Sequence, residues 1–228
     1  MMWKDFFQLL FPRACLLCYE SLVWQEKYLC LHCLHKLPYT HYWEEKDNPA
    51  AQLFWGKVPV EWVIPFLHYT KNYRVQKMLL QIKYHNRPDV AEYMGVLFGN
   101  ILKQTPLQLA DAITAVPLHA TRLKQRGYNQ SEKIAKGIAE AMNLPLWTDI
   151  VERKTWQLSQ TRKGRYERWE NVQDAFELVN PSKVVGKHII LVDDVLTTGS
   201  TLEACAASLL TASRVTLSIV TLAKAELI

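Results

Sequence analysis

The sequence predicts an α/β protein whose parallel sheet is flanked by helices, with a small cysteine-rich module in front of it. Apolar runs that fit buried strands alternate along the chain with helix-length amphipathic segments, which is the pattern of a parallel sheet. Four N-terminal cysteines occur as two CxxC pairs, which indicates a metal-stabilised module. The 228 residues, 49% of them hydrophobic, suit one ordinary domain with a small appendage.

The composition divides the chain into three parts. Residues 1–42 hold the cysteine-rich module. A polar, proline-containing stretch at residues 43–59 is predicted to be a linker, and residues 60–228 carry the α/β pattern. The net charge is +5, from 27 basic and 22 acidic residues, which is compatible with phosphorylated ligands or nucleic acid but specifies neither.

The two cysteine pairs, separated by eleven residues, predict one structural zinc site. Each pair presents two sulfur atoms from a tight turn, and two such turns complete a tetrahedral site with no open position for water. A disulfide framework is the less favoured use of these thiols, because no signal peptide is apparent. His32 or His35 could replace one thiolate. The predicted ligands are Cys15, Cys18, Cys30 and Cys33.

The first twelve residues resemble a signal peptide only superficially. They contain an early acidic residue, lack a long apolar segment and a small-residue cleavage site, and run directly into the cysteine pairs. We expect a short amphipathic helix that packs on the zinc module. No apolar stretch approaches the length of a membrane span, so the expected location is the cytoplasm.

The elements of the larger part can be predicted in order. Residues 62–69 form a strand that Pro65 confines to a sheet edge, and residues 73–84 and 90–102 form helices with apolar faces. Residues 113–117 are a short buried strand, residues 131–142 a helix, and residues 215–222 a late strand. The charged block from Lys154 to Arg168 has no apolar period and is predicted to be a mobile loop.

The most informative segment runs from Ile189 to Thr201. Its four leading apolar residues predict a strand buried on both faces. Asp193 and Asp194 follow near the strand's end, where open α/β sheets bind their ligands. A loop with three hydroxyl residues and one glycine then leads into a helix-forming segment.

This segment offers two kinds of contact to a ligand. Hydroxyl groups and backbone N–H groups at a helix N-terminus favour a phosphate. Two carboxylates can accept hydrogen bonds from neighbouring hydroxyls or hold a hard cation. Together they suit a ribose 5-phosphate.

The segment resembles the motif with which type I phosphoribosyltransferases bind 5-phosphoribosyl-1-pyrophosphate (PRPP). The resemblance implies the phosphoribosyltransferase fold and a PRPP ligand accompanied by Mg²⁺. It also implies that Asp193 and Asp194 are the catalytic carboxylates at the ribose hydroxyls. The residues implied for the 5-phosphate are Thr197, Thr198, Gly199, Ser200 and Thr201.

A second segment, which reads V-P-L-x-x-x-R-x-x-x-R-G-Y-N-Q between Val116 and Gln130, resembles the ComF/GntX family. The cysteine-rich module and the run from Arg168 to Phe176 share this resemblance. The basic loop is suited to neutralise a pyrophosphate, which assigns Arg122 and Arg126 to that side. The later loop that ends at Arg168 resembles the one that closes over the ligand in phosphoribosyltransferases, which adds Arg168. Alternatively, Arg122 and Arg126 are solvated helix charges, and Asn129 and Gln130 cap a helix.

The resemblance implies a competence protein with a PRPP-binding domain, acting in the uptake or handling of single-stranded DNA. A helicase or channel protein of DNA uptake is the implied partner. Aromatic residues among the charges of the predicted loop, namely Trp156, Tyr166 and Trp169, would suit stacking on bases. The alternative is an active phosphoribosyltransferase that transfers ribose 5-phosphate to an unidentified nucleobase or amine.

Overall fold

A four-stranded parallel sheet forms the centre of the protein, as predicted. The computed structural model describes residues 13–69, 73–154 and 175–225. The strands lie in the order β1-β6-β5-β2. A separate antiparallel ribbon joins β3 to β4. The strands are β1 (Val63–Tyr69), β2 (Ala112–Ala115), β3 (Val151–Arg153), β4 (Phe176–Leu178), β5 (His188–Leu196) and β6 (Thr216–Ala225).

Seven α-helices lie within the described residues, and none is long and apolar enough to cross a bilayer. The helices predicted at residues 73–84 and 90–102 are confirmed: the first spans Tyr73–Tyr84, and the second begins two residues before the prediction, at Pro88, a favoured first helical residue. Short 3₁₀ helices occur at Ala51–Phe54 and Pro106–Leu109. The α-helices are α1 (Leu31–His35), α2 (Tyr73–Tyr84), α3 (Pro88–Leu102), α4 (Ala120–Arg126), α5 (Gln130–Met142), α6 (Pro181–Val184) and α7 (Ser200–Leu209).

The sheet is covered on both faces, because alternate residues of its strands enter different hydrophobic clusters. Ile190 and Val192 of β5 pack with residues of α2, α3 and α5. Ile189 and Leu191 face the other way, toward α7 and the 3₁₀ helix at Ala51–Phe54. The result is a three-layer arrangement, which explains why the strand segments are apolar at successive positions.

Strands β1 and β6 differ in their position in the sheet. β1, which contains Pro65, lies at a sheet edge as predicted. β6 lies inside the sheet, and its polar residues Ser218 and Thr221 are buried. Ser218 Oγ lies 2.8 Å from His188 Nε2, and the Thr221 hydroxyl donates to the Ala223 carbonyl at 3.1 Å.

The segment predicted as a linker packs closely against the sheet. Asn48 is 1% exposed, and its amide donates to the Val63 carbonyl at 3.0 Å. Phe54 is buried in the cluster that covers the α7 face. The boundaries at residues 42 and 59 stay predictions, but the connection between the two parts contributes to the core.

The cysteine-rich module shares the core of the sheet domain. Cys15 and Leu29 belong to the same hydrophobic cluster as Phe66 of β1 and Met78 of α2. Residues 38–40 run beside the free edge of β1, where the His68 N–H donates to the Pro38 carbonyl at 2.8 Å. The module therefore covers an edge that would otherwise expose unpaired backbone groups. The predicted helix at residues 1–12 and nearly all of the loop at 154–168 lie outside the described residues.

Helices α3 and α5 approach closely because glycines face each other across the contact. A Cβ atom on Gly137 would lie 2.0 Å from the Glu92 carbonyl oxygen, and one on Gly95 would lie 2.2 Å from that of Ile134. Since these obstacles are backbone atoms, neither can turn aside. The glycines thus determine the position of α5, whose N-terminus lies at the candidate site.

Replacing Gly137 by alanine should force these helices apart. We expect Gly137→Ala to lower the free energy of unfolding by about 2–3 kcal/mol, as overpacking does. Urea denaturation measures this change, with Glu140→Ala, at an exposed position of the same helix, as the control. A Gly137→Ala protein as stable as the control would contradict the close approach.

Candidate functional site

The two acidic residues of the predicted motif lie in the last part of β5, at the carboxyl edge of the sheet. One Asp193 carboxylate oxygen (Oδ1) accepts hydrogen bonds from the Ser131 hydroxyl at 2.7 Å and from the Asp194 N–H at 2.8 Å. Asp193 is partly buried and borders a cavity, whereas Asp194 is 6% exposed. The pair is therefore held rigidly while one member remains open to a ligand.

Asp194 is neutralised by the end of α2. Lys83 Nζ lies 2.9 Å from Asp194 Oδ2, and the Gln130 amide donates to the same oxygen at 3.0 Å. A buried carboxylate without such partners would be strongly disfavoured. Lys83 and Gln130 thus compensate for the burial of Asp194 beside Asp193.

The pKa of Asp193 is raised by its surroundings. Burial raises the pKa of Asp193, the negative charge of Asp194 raises it further, and it reaches about 7. The Ser131 hydroxyl and the Asp194 N–H oppose this shift by stabilising the charged form. Asp193 can therefore gain or lose a proton near neutral pH.

At the N-terminus of α5, one residue caps the helix and the next two contact the acidic pair. Asn129 caps the helix by accepting from the Ser131 N–H at 3.1 Å, and its amide donates to the Val116 carbonyl at 3.0 Å. Gln130 and Ser131, in contrast, contact the carboxylates. Capping is thus correct for Asn129, and Gln130 belongs to the site.

The predicted phosphate loop joins β5 to α7, with Gly199 directly before the helix. Gly199 has φ +82°, and a Cβ atom there would lie 3.2 Å from the Phe54 ring. Gly199 itself is buried, whereas the hydroxyl-bearing residues on either side of it are exposed: Thr197, Thr198, Ser200 and Thr201. The loop therefore presents hydroxyls and the N-terminus of a ten-residue helix at the surface.

A cavity of about 410 Å³ brings these features together. Asp193, Asp194 and Thr201 line it, and so do both arginines predicted for pyrophosphate, Arg122 and Arg126. The arginines lie one helical turn apart on α4. The third predicted arginine, Arg168, lies outside the described residues.

Three residues that line or adjoin this cavity were not singled out by sequence reasoning. Lys83 and Arg153 line it, and Ser131 does so beside Asp193. Burial lowers the pKa of Arg153, and the nearby charge of Arg122 lowers it further. Lys83 and Arg153 come from elements distant in sequence, so no local pattern announces them, whereas Ser131 directly follows the Asn-Gln pair.

The four predicted zinc ligands converge in the N-terminal module. Their sulfur atoms all lie within 4.8 Å of one another, and Cys18 Sγ lies 3.6 Å from Cys30 Sγ. Four thiolates about 2.3 Å from one zinc ion would be about 3.8 Å apart, so the cluster fits a tetrahedral ion with little movement. Neither His32 nor His35 belongs to the cluster. The residues present thus fit the predicted zinc site.

The thiols differ in how readily they ionise. Burial raises the pKa of Cys15, but hydrogen bonds from the backbone of Cys18, Cys30 and Leu17 outweigh it and lower the pKa to about 7. Burial and the neighbouring thiols raise the pKa of Cys33. A zinc ion would supply the positive charge that lets all four ionise together.

Purified protein should contain about one equivalent of zinc, and Cys33→Ser should lose it. Because Cys33 is buried in the shared core, metal loss should also lower the unfolding temperature. Elemental analysis and thermal denaturation measure both effects, with Cys205→Ala as the control for a buried cysteine outside the cluster. Equal metal content in the two variants would contradict the assigned ligands.

The raised pKa of Asp193 predicts a pH dependence of stability. Between pH 4 and 7 the folded protein holds a proton that the unfolded chain has released, so this group's stabilisation is lost as the pH rises. Relative to Asp193→Asn, the wild-type free energy of unfolding should fall across this window by at most about 1.4 kcal/mol per pH unit.

Urea denaturation at several pH values tests this expectation. Asp149→Asn is the control, because the hydrogen bond from Lys183 lowers the pKa of Asp149. Its contribution is therefore present above pH 4 and is lost as the pH falls further. A pH-independent difference between wild type and Asp193→Asn would contradict the raised pKa.

Comparisons with known proteins identify the family of the chain. Residues 108–226 match the family model described as the phosphoribosyl transferase domain. The DNA utilization protein YhgH of Escherichia coli K12 is 30% identical over 189 residues, which are 81% of this chain and 79% of that protein. Competence protein F of Haemophilus influenzae is 28% identical over 178 residues, which are 76% of this chain and 75% of that protein.

Among solved structures, the chain is similar to the glutamine PRPP amidotransferase from B. subtilis, determined with ADP and GMP. The identity is 24% and the TM-score is 0.42, over 61% of this chain and 30% of that one. The family match includes β2, α4, α5, the acidic pair, the phosphate loop and β6. The chain therefore belongs to the phosphoribosyl transferase domain family, among relatives named for DNA utilization and competence.

Proposed function

We propose that this protein binds PRPP with Mg²⁺ at the carboxyl end of β5 and acts in the cytoplasm, in the uptake or handling of single-stranded DNA during natural transformation. The observation that carries the proposal is the single cavity lined by both carboxylates, the end of the phosphate loop and two arginines. The relatives named for competence and DNA utilization support the biological role.

The ribose of PRPP is assigned to the acidic pair. The hydroxyls at positions 2 and 3 of the sugar are donors, and the carboxylates of Asp193 and Asp194 are acceptors. One oxygen of each carboxylate is already bonded to protein groups. The second oxygen of Asp193 is the better placed of the two for a ligand, because Asp194 is more deeply buried and paired with Lys83.

The two phosphate groups are assigned to opposite sides of the ribose. The 5-phosphate would accept hydrogen bonds from the hydroxyls and N–H groups of residues 197–201 at the start of α7. The pyrophosphate would lie against Arg122 and Arg126, with Arg168 as a further contact. Arginine is suited to this role because its planar group donates two parallel hydrogen bonds to phosphate oxygens.

Mg²⁺ would supply positive charge between the pyrophosphate and the carboxylates. Magnesium is usually held by one or two carboxylates together with substrate phosphates, which fits an acidic pair that faces a phosphate site. Asp194 already faces the Lys83 ammonium group, so Asp193 is the carboxylate with room for a cation. If the protein turns PRPP over, its residues contribute positioning and charge stabilisation.

Removing the acidic pair should abolish tight PRPP binding. We expect Asp193→Asn combined with Asp194→Asn to weaken the binding of PRPP by about 3 kcal/mol or more, because charge-assisted hydrogen bonds are lost. Calorimetry with Mg²⁺ measures the affinity, and Asp47→Asn, at an exposed carboxylate outside the cavity, is the control. Unchanged affinity in the double variant would overturn the proposal.

The same protein distinguishes binding from turnover. Pyrophosphate release in the presence of PRPP and a panel of nucleobases and amines would identify it as a transferase. Tight binding without release would favour a protein that senses PRPP while it handles DNA. Both results agree with a PRPP site, and they differ in what the site accomplishes.

Single-stranded DNA should bind in a salt-dependent and sequence-tolerant manner. The proposed contacts are Trp156, Tyr166 and Trp169, in the segment outside the described residues. Replacing all three by alanine should cost about 1–3 kcal/mol per stacked base and leave PRPP affinity unchanged. Fluorescence anisotropy measures this, with the exposed Trp55→Ala as the control. Undetectable binding at low ionic strength would contradict DNA handling by direct contact.

A further inference from the structure

A second, larger cavity adjoins the one assigned to PRPP. Its volume is about 770 Å³, and it shares three basic residues with the inner cavity, namely Lys83, Arg122 and Arg126. The residues found only in this outer cavity are Tyr84, Asn86, Lys124, Gln125, Gly127 and Tyr128. Its walls come from the C-terminal end of α2 and from α4 with the loop that follows it.

The outer cavity is strongly basic. Four cationic side chains line it, and none of its described lining residues is acidic. Lys83 is paired with Asp194, whereas Arg122, Lys124 and Arg126 form no ion pair with a carboxylate of the described residues. Cations placed so close together repel one another, and an anion between them would relieve the repulsion.

Arg126 gives the most specific indication of a ligand. Its Nη1 atom is buried and has no hydrogen-bond partner within the described part of the chain. A guanidinium nitrogen that is removed from water and left unpaired costs free energy. Arg126 lines both cavities, so a phosphate oxygen of a ligand in either one would supply the missing acceptor.

An exposed aromatic ring lies next to these charges. The Tyr84 side chain is 68% exposed, and the Arg126 guanidinium carbon lies 5.6 Å from the centre of its ring. Exposed aromatic rings beside cations are surfaces on which nucleobases stack. The chemistry therefore favours an anion that also carries a base over a simple inorganic anion.

We propose that the outer cavity binds a nucleotide phosphate beside PRPP, with the base stacked on Tyr84 and the phosphate held by Lys124 and by Arg126, which lines both cavities and would be shared with the pyrophosphate. This inference rests on the proposed function, which assigns PRPP to the inner cavity. The second ligand of the site is then a nucleotide, either free or at the end of a DNA strand. Both sources present the same phosphate and base to these residues.

The test is the binding of adenosine 5′-monophosphate to protein saturated with Mg²⁺ and PRPP. Calorimetry should show a second binding event that adenosine, which lacks the phosphate, does not produce. Tyr84→Ala and Lys124→Ala should each weaken it about tenfold, as loss of a stacked base or a phosphate contact does. PRPP affinity should be unchanged in both variants.

Matched variants separate the proposed contacts from general effects. Tyr84→Phe keeps the ring and should retain most of the affinity. Lys103→Ala removes an equal charge at an exposed position that lines neither cavity and should leave binding unchanged. Mutual exclusion of PRPP and the nucleotide, or wild-type affinity in Tyr84→Ala and Lys124→Ala, would overturn the inference.

Two further measurements complete the design. A 5′-phosphorylated thymidine hexamer that binds more tightly than the mononucleotide would identify a strand end as the source, and the reverse order would identify a free nucleotide. If PRPP does not bind at all, the proposed function fails. The effects of Tyr84→Ala and Lys124→Ala on nucleotide binding to the unliganded protein then still decide the inference.

Discussion

The neighbouring carboxylates of Asp193 and Asp194 impose an electrostatic requirement that several distant elements satisfy. Two negative charges at the end of a buried strand are costly unless cations or donors lie beside them. Lys83 from α2 neutralises one carboxylate, Gln130 from α5 donates a hydrogen bond to it, and the Ser131 hydroxyl donates to the other. Burial and the neighbouring charge of Asp194 still raise the pKa of Asp193. A ligand that brings donors or a cation would lower this pKa.

Helix α2 contacts both the cysteine-rich module and the acidic pair. Near its middle, the Lys77 ammonium group donates to the Leu17 carbonyl at 3.1 Å and lies 3.5 Å from the centre of the Tyr19 ring. Near its end, Lys83 contacts Asp194 and the Ile82 carbonyl accepts a hydrogen bond from the Tyr128 hydroxyl. One helix therefore contacts both a CxxC turn and the carboxylates, so the module contributes to the geometry of the site.

Local sequence was sufficient wherever one segment contains the whole signal. The β5 strand, the acidic pair, the glycine-containing loop and the start of α7 are contiguous, and their order along the chain is also their order in space. The cysteine pairs are similar, because each turn brings two sulfurs together through its own short spacing. Pro65 likewise restricts β1 to a sheet edge through its missing N–H group.

By itself, the sequence determined the α/β class, the two cysteine pairs that converge and the place of the acidic pair at the carboxyl edge of the sheet, because strand, turn and helix propensities act over a few residues. Only the tertiary structure decided which side chains surround the carboxylates. Lys83 is 111 residues from Asp194 along the chain, and Arg153 reaches the cavity from the separate ribbon of β3 and β4. Their positions follow from the packing of α2, α3 and α5 on the sheet, which no local pattern encodes.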